Sequence, residues 1–90
     1  MNLSSWSKWV TCHRERCGWS KRYLAKRIKM NPSYVTLWER DGRVPRRNVV
    51  ISLAFAFGLD LKSSLSEAGY LFIPSHDMNI YKNLRRPDHV

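Results

Sequence analysis

The sequence predicts an all-α domain of five short helices, followed by a short C-terminal extension. Three observations predict it. Apolar residues recur at helical spacing in separate short segments. Residues able to cap a helix stand in front of those segments, and glycine stands behind most of them. Strand signals are weak and confined to Tyr70-Leu71-Phe72-Ile73, a stretch that reads as able to pair with something.

The elements follow in order. Trp6, Val10, His13 and Cys17 recur at i, i+4, i+7 and i+11 with Trp9 beside them, one face of a helix from about Ser4 to Arg16. Ser4 or Ser5 is its cap, and Gly18 ends it. His13 reads as a half-buried structural histidine, since no partner constellation is visible for it. Ser20 is the next cap and opens Ser20–Ile28, with Leu24, Ala25 and Ile28 turned inward and Lys21, Arg22, Lys26, Arg27 and Lys29 outside that stripe. Asn31-Pro32 reads as a cap followed by proline at the first helical position, where the missing N–H costs nothing. That third helix runs to about Arg40, with Val35 and Trp38 inward, and Asp41-Gly42 stops it.

A loop containing Arg43, Val44 and Pro45 leads to residues 46–57, a helix apolar on more than one side. Asp60 caps a fifth helix with Leu61 and Leu65 inward, closed by Gly69. The remainder breaks at Pro74 and holds one more helical stretch near Asp77 to Leu84, with frayed last residues. The reading is a domain over residues 1–69 and an extension over 70–90, the latter for dimerisation or partner binding.

Charge narrows the function. The chain has 90 residues and a net charge of +9. Residues 1–47 hold twelve Lys/Arg against three acids, while residues 48–90 hold four of each. A solubility charge does not need such segregation, and an anionic partner for the first half explains it. Cys12 and Cys17 match neither a CxxC nor a zinc spacing, so ordinary thiols in a reducing, cytoplasmic setting are expected. No apolar run approaches the roughly 18 residues of a membrane span, and the first residues have no signal-peptide core. No paired carboxylates, Gly-rich phosphate loop or nucleophile–base signature is present, so no enzyme, cofactor or metal is expected.

The second and third helices carry the functional signal. Two helices joined by a tight turn form a helix-turn-helix, which sets its second helix into the DNA major groove and lays its first across the backbone. The unit needs a small residue where the helices touch, and Ala25 supplies it. It needs apolar anchors under the second helix, and Val35 and Trp38 supply them. It needs small or polar residues facing out, and Pro32, Ser33 and Thr36 do so.

Residues Arg14 to Arg40 read R-E-R-x-G-W-S-K-x-x-L-A-K-R-I-x-x-x-P-S-Y-V-T-x-W-E-R, followed by Val44-Pro45 and by L-A-F-A-F-G-L-D-L from Leu53 to Leu61. This text resembles the lambda-repressor/Cro-type helix-turn-helix family, also called the xenobiotic-response-element family, over about residues 5–69. The resemblance implies a five-helix lambda-repressor-like fold and sequence-specific binding of double-stranded DNA by a homodimer, with recognition helices about 34 Å apart. Carried over by position, base reading falls on Pro32, Ser33, Thr36 and Leu37. Backbone contacts fall on Ser20, Lys21, Arg40, Arg43, Arg46 and Arg47.

The sequence also departs from the pattern. Leu37 stands where many relatives have glutamine or arginine; it packs on a thymine methyl but offers no hydrogen bond. Ser33 and Thr36 are then left with most of the direct readout, supported by DNA shape. Arg47 stands where relatives have a buried leucine and is expected to snorkel out to a phosphate. Lys29 stands where relatives often have glycine, so a slightly different turn is expected. Trp38 is larger than the usual aliphatic residue, and Asp41 places an acid near the phosphate path.

The leading expectation is therefore a small transcriptional repressor. The alternative is an antitoxin-like protein that neutralises a partner protein through residues 70–90 and autoregulates its operon. Nonspecific or RNA binding is the third reading; the helix-turn-helix spacing argues against it, because RNA readers stack bases on sheets or loops. Ile51, Phe55, Leu59, Tyr70, Leu71, Phe72 and Ile73 are surplus apolar residues, and several of them are expected to form the dimer interface.

Overall fold

The computed structural model describes residues 5–84. They form six helices and no strand: α1 Ser5–Arg16, α2 Lys21–Arg27, α3 Pro32–Asp41, α4 Arg47–Phe57, α5 Leu61–Glu67 and α6 Pro74–Leu84. The chain divides into two compact units, residues 1–46 and 47–90. Ser4, one of the two expected caps of α1, and the residues expected to fray after Leu84 lie outside the described residues.

Local chemistry sets most of the boundaries. The Ser20 side chain accepts from the Tyr23 N–H, the Asn31 side chain from the Ser33 N–H, and the Asp60 side chain from the Ser63 N–H. Each satisfies one of the donors a helix start leaves orphaned, worth about 1 kcal/mol apiece. Pro32 occupies the first turn of α3 as expected. Residues 70–73 form no strand; they run as irregular chain into α6. That helix begins at Pro74, three residues before the expected start, because the Ile73 carbonyl already accepts from the His76 and Asp77 N–H groups. The proline thus ends the preceding segment and opens the next helix.

In the first unit α3 is the central element, packed on both α1 and α2. The unit's apolar residues Trp6, Val10, Leu24, Ala25, Val35 and Trp38 are buried, each leucine or valine contributing about 1.5–3 kcal/mol. Trp38 is accommodated in this core despite its size. Trp9 is half-buried, stacked on Trp6, and meets His13 edge-on. Cys17, expected on the inner face of α1, is exposed, because the helix ends at Arg16 and the periodicity stops with it. Trp19 is half-buried beside Tyr23, with the Arg27 guanidinium 5.0 Å from its ring centre.

In the second unit α4 packs on α5 and α6. Val50, Ile51, Leu53, Ala54, Leu61 and Leu65 are buried. Ile51 is therefore core and unavailable as the surplus surface residue expected of it. Phe57 is half-buried. Phe55 is half-buried and meets Tyr81 of α6 edge-on.

One backbone conformation departs from ordinary L-residue geometry. All four glycines of the chain adopt positive φ, and Lys29 is the one other residue to do so among those described, at φ 60°. It closes α2 with the Lys29 N–H on Lys26 O and the Met30 N–H on Ala25 O, the same bond pattern that closes α1 at Gly18. The turn therefore has a glycine-type backbone with a lysine in it, at a cost of about 1–2 kcal/mol.

Candidate nucleic-acid interface

The first unit holds α2, its turn and α3, and with them every candidate contact residue except Arg47. On α3 the inward residues are Val35, Trp38 and Glu39. Pro32 and Ser33 are exposed, and Thr36 and Leu37 are half-buried on the sides away from those three. Tyr34 is 47% exposed on the flank. The outward surface thus begins with small side chains, which allows close approach of a groove wall.

The start of α3 offers little to an anion through its backbone. Pro32 has no N–H, the Ser33 N–H is held by the Asn31 side chain, and the Tyr34 N–H is bonded to the Asn31 carbonyl. Hydrogen bonding there falls to side chains, and the Ser33 hydroxyl is exposed in the first turn of the helix, between the exposed Asn31 and Tyr34. At α2 the Ser20 oxygen is engaged as acceptor from the Tyr23 N–H at 2.9 Å, which leaves its O–H to donate outward. Lys21 beside it is half-buried.

What fixes α3 in place is a pair of charges that single-residue reading overlooked. Arg14 of α1 grips Glu39 of α3 with two parallel bonds, Nε to Oε2 at 2.7 Å and Nη2 to Oε1 at 3.0 Å. The two side chains are 12% and 7% exposed. Arg14 Nη1 also donates to the Trp19 carbonyl at 2.8 Å, which ties the α1–α2 turn to the same fork. The hydrogen bond to Glu39, opposed by burial, raises the Arg14 pKa above its ordinary value. Ser7 Oγ adds a bond to the Glu39 carbonyl. A cation on α1 and an acid on α3, both inside the motif text, were the available signal.

The remaining cations differ in what holds them. Arg40 lies along Asp41, Nε to Oδ1 at 3.0 Å and Nη2 to Oδ2 at 3.3 Å, with both side chains exposed. The hydrogen bond from Arg40 holds the Asp41 carboxyl below its usual range. The acid expected to repel a phosphate is thus paired with a cation, in an exposed contact that contributes little stability. Arg43, just past the α3 end at Gly42, is exposed, and so is Arg46.

Arg47 does something other than expected. It belongs to the second unit, where Nη1 donates to the buried Asp77 carboxylate at 2.9 Å and to the Leu71 carbonyl at 2.7 Å. Its guanidinium also lies 5.1 Å from the Tyr70 ring centre. It occupies the buried-leucine position by satisfying an internal acid, which is why it is not turned out as a free cation.

Among the described residues no group of three His, Cys, Asp or Glu side chains is placed to hold a metal. No helix among them is long and apolar enough to cross a membrane. Cys12 and Cys17 are both free and exposed.

A family model described as helix-turn-helix matches residues 13–63, more than half of the 90-residue chain. No curated protein and no solved structure matches the chain.

Proposed function

The chain belongs to the Cro/C1-type helix-turn-helix family of DNA-binding transcription regulators, and on that premise we propose that it is a small repressor reading an operator with α3 in the major groove. The observation that carries this reading is the combination of a small, exposed α3 tip with flanking cations in one unit whose α3 is locked down by the Arg14–Glu39 fork. Ser33 is the principal base reader in this reading, with Thr36, Pro32 and Leu37 supplying shape and apolar contact to thymine methyls. Ser20, Lys21, Arg43 and Arg46 contact the backbone and set the register. Arg40 does so only by releasing Asp41, and Arg47 is left out because its donor serves Asp77.

We further infer a two-fold dimer acting in the cytoplasm, where half-site spacing follows the dimer geometry. Of the surplus apolar residues, Leu71 at 79% and Ile73 at 42% exposure remain open in the second unit, as does Met78 of α6 at 37%. The same exposed residues favour the second reading, an antitoxin-like protein that docks a partner through residues 70–90. In that reading DNA binding serves autoregulation alone.

Two results test the assignment. Lys21→Ala and Arg43→Ala should weaken binding to every duplex and lower the slope of log affinity against log salt by about 0.9 per lost phosphate contact. An unchanged slope removes the residue from the interface. Ser33→Ala should cost roughly 1–3 kcal/mol on the preferred duplex and little on mixed sequence. Equal losses on both would strip Ser33 of its role as reader. Titrations by fluorescence anisotropy at several salt concentrations provide both readouts.

A further inference from the structure

Lys29 stands in the turn between α2 and α3, in the left-handed conformation that every glycine of the chain also adopts. At the other described helix ends with that conformation the chain uses glycine; among the described residues only α2 closes on a side chain in it. Glycine would hold the turn with the same bonds and without the strain, so stability of the free protein does not account for the lysine. Its side chain gives no compensation within the fold. Lys29 is exposed and makes no ion pair among the described residues. What lysine has and glycine lacks is a long flexible stem ending in an ammonium.

The position of that ammonium supplies the reason. Lys29 lies two residues before Asn31, the cap of α3. Any duplex that admits the α3 tip brings its sugar-phosphate walls to either side of that tip. We propose that Lys29 is a phosphate-binding residue of the helix-turn-helix turn, and that the strain of its backbone is retained for this contact. The inference rests on the DNA-binding reading and adds a contact outside the positions carried over from the family pattern.

The test uses the full chain and a mixed-sequence 24-base-pair duplex, titrated across a series of NaCl concentrations, with a thermal midpoint measured for each variant. Lys29→Gly should raise the unfolding midpoint and yet weaken duplex binding several-fold, lowering the log–log slope by about 0.9. Lys29→Ala should lose the same slope without gaining stability, because alanine keeps the strained backbone. Lys29→Arg should keep the wild-type slope. Lys82→Ala removes the same charge from α6 of the second unit and should leave the slope as it was. Wild-type slope in both Lys29→Gly and Lys29→Ala overturns the proposal while leaving the DNA-binding reading intact. A slope that falls equally in Lys82→Ala also overturns it, since the effect is then one of net charge. A wild-type chain that fails to bind the duplex overturns both.

Discussion

Replacing Glu39 by alanine is expected to destabilise the first unit by about 3–5 kcal/mol, because it strands the Arg14 guanidinium in a site where its side chain is only 12% exposed. For a chain of this size that corresponds to a fall in unfolding midpoint of about 12 °C or more. Arg14→Ala should cost a similar amount by stranding Glu39, and it also removes the bond to the Trp19 carbonyl. The double variant should cost much less than the sum of the two, since neither charge is then left alone. Urea unfolding of all four proteins closes the cycle. Additive losses would mean that the fork contributes nothing of its own. DNA binding should fall in the single variants in step with the folded fraction, because the fork carries α3 and touches no base.

The second large effect belongs to Asp77. Its carboxylate is fully buried and accepts from the Ile73 N–H at 2.8 Å, from Arg47 Nη1 at 2.9 Å, and pairs with His76 Nδ1 at 2.9 Å. Burial pushes its pKa up. The Ile73 N–H, the His76 bond and the Arg47 charge outweigh that and leave the folded value below the ordinary one. A carboxylate with a depressed folded pKa contributes stability that is present above its unfolded value, about 3.9, and is lost as pH falls through the folded value.

Asp77→Asn should therefore lower stability at neutral pH by about 3 kcal/mol, the low end of the range because Arg47 keeps 23% exposure. The gap between variant and wild type should close below about pH 4. Asp60, held below its usual range by the Ser63 N–H, titrates alike in both proteins and cancels from the difference. A gap that stays constant from pH 7 to pH 2.5 would show that the charge of Asp77 is irrelevant and only its shape matters.

These two pairs also mark what was legible in the sequence. Caps at Ser20, Asn31 and Asp60 were legible because each acts on a donor two or three residues away. The helix-turn-helix was legible for the same reason: Ala25, Val35 and Trp38 obey a period set by the backbone itself. Arg14 and Glu39 are 25 residues apart and Arg47 and Asp77 are 30 apart. No periodicity links such positions, so Arg47 read as a free cation and Asp77 only as the approximate start of a last helical stretch. Ile51 read as surplus because one helical face was assumed to be buried, whereas α4 buries Val50, Ile51, Leu53 and Ala54 together. The outward residues of α3 were legible as a surface and Asn31 as its cap; what the structure adds is that the Tyr34 N–H is also engaged, by the Asn31 carbonyl.

The central claim is that α3 reads a sequence. Selection of bound duplexes from a randomised library at about 0.15 M salt, where nonspecific binding is already weakened, tests it most directly. The expected result is enrichment of a short inverted repeat, with half-sites one helical turn apart, that Ser33→Ala fails to enrich to the same degree. Recovery of no preferred sequence by a folded wild-type chain would contradict it and shift the weight to a protein-docking role for residues 70–90.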